Sequence, residues 1–224
     1  MKNVRHALSA IALSLVTTTA GAGVILSNSS TGWYNNTIGL SLDTSGALDP
    51  FPCANIACGD SALSYATAPN LSAASATLGN WLSNPATPGG SWGPADHAIP
   101  LSWAVNTETA IIYEIDAGIG LTNLELLLGV DNGVFVWVDG VYEFGARAGG
   151  GASIGEYALS LPNLTAGTHY LQVLREDHGG ATGFGISLTG DSAPVPAADV
   201  PAPATLLLLG IGLAGLRLTR CRSA

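Results

Sequence analysis

Residues 128–141 read LGVDNGVFVWVDGV, and this stretch decides the fold class. Within it, residues 134–138 alternate strictly, with three valines on one side and Phe135 and Trp137 on the other. An alternation of period two is typical of a β-strand, because successive side chains point to opposite faces. Since both faces are apolar, we expect a central strand that is covered on both sides.

Turn signals bound this strand and recur along the second half of the chain. The pairs Asn132-Gly133 and Asp139-Gly140 are typical of two-residue hairpins. Residues 72–82 predict one brief helix, which Gly79 weakens. Further apolar runs predict strands at 109–115, 123–130, 156–161, 168–174 and 184–188. We therefore predict an all-β domain, a β-sandwich or jelly roll, over residues 23–190.

The composition favours a packed and anionic domain. Of the 224 residues, 47% are hydrophobic and 10% are charged, so the chain can bury a core and differs from a disordered chain. Between residues 23 and 200, only Arg147 and Arg175 oppose all 16 acidic residues. Nucleic acid is excluded as an expected partner, because phosphate binding needs a cationic face. Divalent cations and neutral ligands are still candidate partners.

The first 22 residues predict a secretory signal peptide. Lys2 and Arg5 precede an apolar run at 7–16, and Ala20-Gly21-Ala22 supplies a small-residue cleavage site. This run is shorter than the roughly 20 residues that span a bilayer. We expect export through the Sec translocon and cleavage by signal peptidase after Ala22, with cleavage after Ala20 as the alternative.

The C-terminal end predicts a linker, a membrane segment and a tail. Residues 191–203 are rich in Pro and Ala and form the linker. An uncharged apolar run begins at Ala204 and, with its flanks, predicts a transmembrane helix at 204–218. The tail at 219–224 is basic, which orients it toward the cytoplasm.

This C-terminal segment resembles the PEP-CTERM sorting signal of Gram-negative bacteria. The resemblance is carried by Val200-Pro201-Ala202-Pro203, the Leu/Gly-rich run and the terminal arginines. Ala202 stands where the family has its central glutamate. The resemblance implies processing by an exosortase, a membrane-embedded cysteine peptidase, from an inner-membrane intermediate to the cell surface or medium. It also implies a link to exopolysaccharide and biofilm production.

Residues 100–190 resemble two related jelly-roll groups, the protective-antigen-type and the galactose-binding-like domains. The matching stretches are 128–141 and 164–174. In sugar-binding members of the first group, paired acids hold a Ca²⁺ ion that receives sugar hydroxyls. The resemblance gives that role here to Asp131 and Asn132, where an amide replaces the second acid.

Other acidic residues are candidate oxygen ligands for the same ion, namely Asp139, Glu176 and Asp177. A simpler interpretation competes at each place. Asp131-Asn132-Gly133 and Asp139 fit tight turns, and Glu176-Asp177 fits a solvated acidic loop.

Two aromatic residues are candidates for stacking on sugar rings. Trp92 lies in a Gly/Pro loop, and Tyr142 follows Asp139 closely. Trp92 fits a buried core position equally well. Because export predicts oxidising surroundings, Cys53 and Cys58 predict a disulfide that closes a short loop.

These observations favour a non-catalytic surface or extracellular-matrix protein whose sandwich binds exopolysaccharide, with Ca²⁺ as a candidate cofactor. The alternatives are a self-associating structural component of a biofilm matrix and a polysaccharide-active enzyme. Residues 151–155 read GASIG and match the nucleophile-elbow pattern of serine hydrolases. Because a glycine loop precedes them and a strand is predicted after them, we expect no hydrolase site there.

Overall fold

The computed structural model describes residues 22–42, 62–148, 151–177 and 179–194. Most of this part of the chain is extended. A 3₁₀ turn at Ser72–Ala74 leads into the short helix α1 at Ser75–Leu78, which ends before Gly79. The strands in chain order are β1 (Gly23–Leu26), β2 (Thr31–Gly39), β3 (Leu63–Ser64), β4 (His97–Ala98), β5 (Glu108–Asp116), β6 (Leu121–Asp131), β7 (Gly133–Val138), β8 (Val141–Arg147), β9 (Tyr157–Ser160), β10 (Thr168–Glu176) and β11 (Gly183–Ser192).

The strands form two antiparallel sheets that pack face to face. The larger sheet has the order β3-β8-β7-β10-β5-β2-β4, and the smaller sheet has the order β1-β11-β6-β9. All the strands predicted after residue 100 are present, whereas β8 is not predicted by the sequence pattern. The prediction of an all-β sandwich is confirmed.

Strand β7 has the position that the alternation predicted. All of its residues are buried, and β10 and β8 pair with its two edges. The three valines at 134–138 pack into the core between the sheets, whereas Phe135 and Trp137 pack on the outer face of the larger sheet. The prediction of a strand covered on both sides is confirmed.

The core between the sheets is mostly aliphatic. Strands of the larger sheet contribute Ile111, Val136 and Leu171, and β6 of the smaller sheet contributes Leu126 and Leu128. Each of these side chains is fully buried. Residues at every second position face this core, so the strand period alone selects its members.

A buried arginine closes one end of this core. The Arg175 guanidinium carbon lies 4.2 Å from the ring centre of Trp103 and 4.7 Å from that of Phe184. Its Nε donates to Thr109 Oγ1 and its Nη1 to the Pro100 carbonyl, both at 2.8 Å. Burial lowers the pKa of Arg175, and the aromatic rings and acceptors offset part of the desolvation of the charge.

The hairpin predictions for the two Gly-containing turns beside β7 have different outcomes. Asp139-Gly140 forms a two-residue hairpin between β7 and β8, with positive φ at both residues, as predicted. The hairpin prediction for Asn132-Gly133 is wrong. Strand β6 belongs to the smaller sheet and β7 to the larger, so the chain crosses between the sheets at this point.

The GASIG stretch has a structural role against the smaller sheet. A Cβ added to Gly129 of β6 would lie 2.4 Å from the Ser153 carbonyl oxygen, and one added to Gly183 would lie 2.6 Å from Ala152. These glycines therefore let the loop approach the backbone of β6 and β11 closely. Strand β9 follows the loop, so the strand-to-helix context of a nucleophile elbow is missing here.

The ends of the sandwich lie side by side in the smaller sheet. Strand β1 pairs with β11, with Gly23 opposite Gly190. Strand β11 continues to Ser192, two residues beyond the predicted end of the domain, because the Ala193 N–H still bonds the Gly120 carbonyl at 2.8 Å. The chain divides into two units after Ala193.

Candidate functional site

Residues 71–93, which we call the cap, cover the outer face of the larger sheet. Leu78 and Trp81 of the cap are buried against Phe135 and Trp137. The rings of Trp81 and Trp137 meet edge to face, with their centres 5.3 Å apart. Such aromatic pairs add to the free energy of simple area burial. The cap is thus part of a second hydrophobic cluster on the opposite side of the sheet from the inter-sheet core.

Close backbone contacts hold the two halves of the cap together. The Ser91 N–H donates to the Thr77 carbonyl at 2.8 Å. A Cβ at Gly90 would lie 2.2 Å from that same oxygen, and a Cβ at Gly79 would lie 2.2 Å from the Pro88 carbonyl oxygen. Both glycines also have positive φ, so only glycine fits these positions without strain.

Two fully buried amide side chains attach the cap to the sheet. Asn35 of β2 donates through Nδ2 to the Thr77 carbonyl at 2.8 Å. Gln172 of β10 donates through Nε2 to the Trp81 carbonyl at 3.1 Å, and its Oε1 accepts from the Gly140 N–H at 3.0 Å. Gln172 therefore links the cap to the β7–β8 hairpin.

An open groove of about 460 Å³ lies between β2 and the cap residues 86–93. Trp33 and Trp92 line it, and both side chains are half-buried. Trp92 is held in place because its Nε1 donates to the Leu78 carbonyl at 3.0 Å and its ring stacks on Trp81. The groove therefore presents two positioned tryptophan side chains to solvent.

The surroundings of the groove carry negative charge. The Tyr170 ring centre lies 6.3 Å from that of Trp33, and Glu114 is opposite Tyr170 on β5. Burial raises the pKa of Tyr170, and the charges of Glu114 and Asp139 raise it further. In the described part of the chain, both arginines are buried and the sequence there has no lysine. The described surface therefore offers carboxylates and no Lys or Arg charge to a ligand.

The structure separates the predicted calcium ligands into two groups. Asp131, Asn132, Glu176 and Asp177 lie at one end of the sandwich, where the Asn132 N–H donates to the Glu176 carbonyl at 2.8 Å. Asp139 lies at the other end of β7. At about 3.3 Å per strand residue, roughly 20 Å separates the two ends.

Hydrogen bonds within the fold use both carboxylate oxygens of Asp139 and one of the two oxygens of Asp177. Asp139 Oδ1 accepts from the Tyr170 N–H at 2.8 Å, and its Oδ2 lies 2.6 Å from His169 Nδ1. Asp177 Oδ2 accepts from the N–H groups of Asn106 and Gly179 at 2.6 and 2.9 Å. Across the described ranges, no three His, Cys, Asp or Glu side chains are grouped so that they could hold a metal ion. Calcium binding by Asp131 and Asn132 stays a prediction.

The two predicted stacking residues lie in the second hydrophobic cluster. Trp92 packs against this cluster and also lines the groove. Its side chain therefore has features of both the core position and the ligand-facing position that the sequence allows. Tyr142 is half-buried, with its ring 5.9 Å from Trp137 and its hydroxyl donating to the Tyr65 carbonyl at 2.6 Å. Sequence reasoning missed Trp33, because β2 mixes polar and apolar residues and has no clean alternation.

Several predictions concern residues that the structure leaves undescribed. Cys53 and Cys58 are among them, so the disulfide stays a prediction. The signal peptide at 1–22 and the linker, helix and tail after residue 194 also fall almost wholly outside the described ranges. Within those ranges, no helix is long and apolar enough to cross a membrane.

Comparison with known proteins identifies the C-terminal segment. No curated protein matches the chain. Residues 199–223 match the PEP-CTERM protein-sorting motif, which includes the predicted Val200, Pro201, Ala202 and Pro203. This chain is therefore an exported protein that carries a PEP-CTERM motif and is sorted by an exosortase through a membrane-anchored intermediate.

Proposed function

We propose that the exported sandwich is a non-catalytic module that binds extracellular polysaccharide in the groove between Trp33 and Trp92. The observation that carries this proposal is the pair of half-buried tryptophans in one groove beside a Gly/Pro loop. Sugar rings have apolar C–H faces that pack on aromatic rings. The groove volume of about 460 Å³ also falls within the roughly 300–1,000 Å³ typical of ligand sites.

The charge of the described surface favours a neutral polysaccharide. Glu114 and Asp139 flank Tyr170 near the groove, and neither buried arginine offers its charge at the surface. An anionic polymer would meet repulsion from these carboxylates, whereas a neutral one would not. Stacking requires no metal, so binding is expected to persist in EDTA.

The sorting motif gives this module its proposed destination. Sec and signal peptidase release the N-terminus after Ala22, and the exosortase cuts near Val200–Pro203. The module then stands on the surface of a Gram-negative cell or enters the surrounding matrix. There it contacts exopolysaccharide.

The test is affinity electrophoresis of the exported protein in gels that contain neutral or uronic-acid polysaccharides. Trp33→Ala is expected to weaken binding to a neutral polymer at least roughly tenfold, as loss of a central aromatic contact does in other interfaces. Trp103→Ala is the matched control, because Trp103 is also half-buried but packs on Arg175 away from the groove.

Three results would overturn the proposal. They are equal effects of both tryptophan variants, binding only to the anionic polymer, and loss of binding in EDTA. Concentration-dependent assembly without any polysaccharide would instead support a structural matrix component. Turnover of the polymer that one carboxylate substitution abolishes would instead support an enzyme.

A further inference from the structure

A second cavity lies on the side of the sandwich, away from the groove. It has a volume of about 310 Å³ and is bordered by β3 and β8 of the larger sheet and β9 of the smaller sheet. Its walls include Phe144, Arg147, Glu156 and Tyr157. It shares no lining residue with the Trp33–Trp92 groove, so it is an independent site.

Polar groups of different kinds meet in this cavity. Arg147 is only 3% exposed and interacts within the fold, so it forms part of the cavity wall. Glu156 is half-buried, and its Oε2 accepts from the Val130 N–H at 3.3 Å. The Tyr157 hydroxyl is buried and has no hydrogen-bond partner among the described residues. A buried hydroxyl without a partner destabilises a fold, so a ligand that bonds it gains binding energy.

The titration of two of these groups reflects the same burial. Burial raises the pKa of Glu156, the nearby Asp131 charge raises it further, and the Val130 N–H opposes both. Burial also raises the pKa of Tyr157, and the charge of Glu156 adds to this effect. Perturbed ionisable groups that line a cavity are typical of binding sites.

The donor and acceptor set selects the class of ligand. The Glu156 carboxylate only accepts hydrogen bonds, and the Tyr157 hydroxyl both donates and accepts them. A neutral polyol can bond both groups, because each of its hydroxyls donates and accepts. A simple anion would be repelled by Glu156, and a simple cation would offer no acceptor to the Tyr157 O–H.

The apolar part of the cavity favours a ring over an open-chain molecule. The Phe144 and Tyr157 rings lie 5.5 Å apart between centres and are tilted by 56°. The volume lies at the lower end of the roughly 300–1,000 Å³ typical of ligand sites, which is room for one sugar ring and not for a chain. We propose that this side cavity binds a single neutral sugar unit, as a free monosaccharide or as the end of a glycan.

The test is ligand-observed NMR of the exported protein with methyl glycosides of glucose, galactose, mannose and N-acetylglucosamine. Glycine is the zwitterionic probe and acetate the anionic probe. At least one glycoside is expected to bind in the millimolar range. Tyr157→Phe, which removes only the hydroxyl, is expected to weaken that binding roughly tenfold. Tyr170→Phe, beside the groove, is the matched control and is expected to leave it unchanged.

A second readout distinguishes a binding role from a structural one. Because Tyr157→Phe removes a buried hydroxyl without a partner, it is expected to raise the melting temperature of the free protein while it weakens glycoside binding. Glu156→Gln should also weaken binding, with exposed Glu125→Gln as its control. The proposal is overturned if no glycoside binds, if Tyr157→Phe leaves binding unchanged, or if glycine or acetate binds in place of the glycosides.

The test of the side cavity is independent of the test of the Trp33–Trp92 groove. Tyr157→Phe should retain binding of the neutral polysaccharide, which Trp33→Ala weakens. Trp33→Ala should retain binding of the glycoside. Failure of one proposal therefore leaves the other standing.

Discussion

The two faces of the larger sheet are both buried, but they are built in different ways. The inner face packs on the smaller sheet through aliphatic side chains at every second strand position. The outer face packs on the cap through aromatic side chains such as Trp81 and Trp137. Hydrogen bonds from Asn35 and Gln172, rather than strand pairing, attach the cap to that face.

This difference determines where the molecule can open. On the inner face, two sheets bury many equivalent side chains, so we expect the centre of that core to open only when the domain unfolds. On the outer face, a loop with a four-residue helix depends on a few specific contacts. Segments of this kind open locally at a lower free energy than the core, and binding sites often lie on them. The Trp33–Trp92 groove lies on this side.

The largest expected effect is on the inner face. Leu126→Ala should lower the free energy of unfolding by about 2–5 kcal/mol, because the fully buried side chain leaves a cavity between the sheets. Urea unfolding should show one transition, with tryptophan fluorescence and circular dichroism coincident. Leu101→Ala is the control, since Leu101 is 44% exposed. A loss no larger than that of the control would contradict the role of Leu126 in the inner core.

The second prediction tests the stability of the cap separately from that of the sandwich. It compares substitutions at two adjacent glycines. Gly89 and Gly90 have nearly the same φ, +67° and +68°, but a Cβ at Gly89 would meet nothing within 4 Å. Gly89→Ala should therefore cost only the left-handed strain of about 1–2 kcal/mol. Gly90→Ala should add about 1–3 kcal/mol from the contact with the Thr77 carbonyl.

Hydrogen exchange gives the measurement for this pair. In Gly90→Ala, the Ser91 amide, which bonds the Thr77 carbonyl, should exchange much faster than in Gly89→Ala. The paired amides of β6 and β11 should keep their protection in both variants. Equal exchange at Ser91 in the two variants would show that the cap does not depend on this backbone contact.

The same contrast explains how much could be predicted from the sequence. The inner core follows from strand period, so residues 134–138 predicted β7, its central place and its two covered faces. The outer face depends on contacts between distant segments, such as Gln172 with Trp81, that no local pattern indicates. The local sequence therefore fits a core role and a ligand role of Trp92 equally well, and it does not single out Trp33.

The turn residues show a further limit of local reasoning. Asn132-Gly133 and Asp139-Gly140 carry the same hairpin signal, yet only the second joins paired strands. A turn signal indicates that the chain changes direction. It does not indicate which sheet receives the next strand, because that depends on the partners β10 and β11 later in the chain.

The smallest of these effects tests the hydrogen bonds of the cap without changing its backbone. Gln172→Leu keeps an apolar side chain of similar size but leaves the Trp81 carbonyl and the Gly140 N–H without their partner. The expected loss is about 1–3 kcal/mol. Glu114→Leu is the control, because Glu114 is exposed on the same face and its change should lie within about 0.5 kcal/mol of zero.

The readouts for Gln172→Leu are exchange of the Ser91 amide and polysaccharide affinity. Gln172 does not line the groove, so a weaker affinity together with faster exchange at Ser91 would show that the groove depends on the position of the cap. Unchanged exchange at Ser91 would instead mean that aromatic packing alone holds the cap. In that case both faces of the sheet would be stabilised in the same way, and only the chemistry of their side chains would differ.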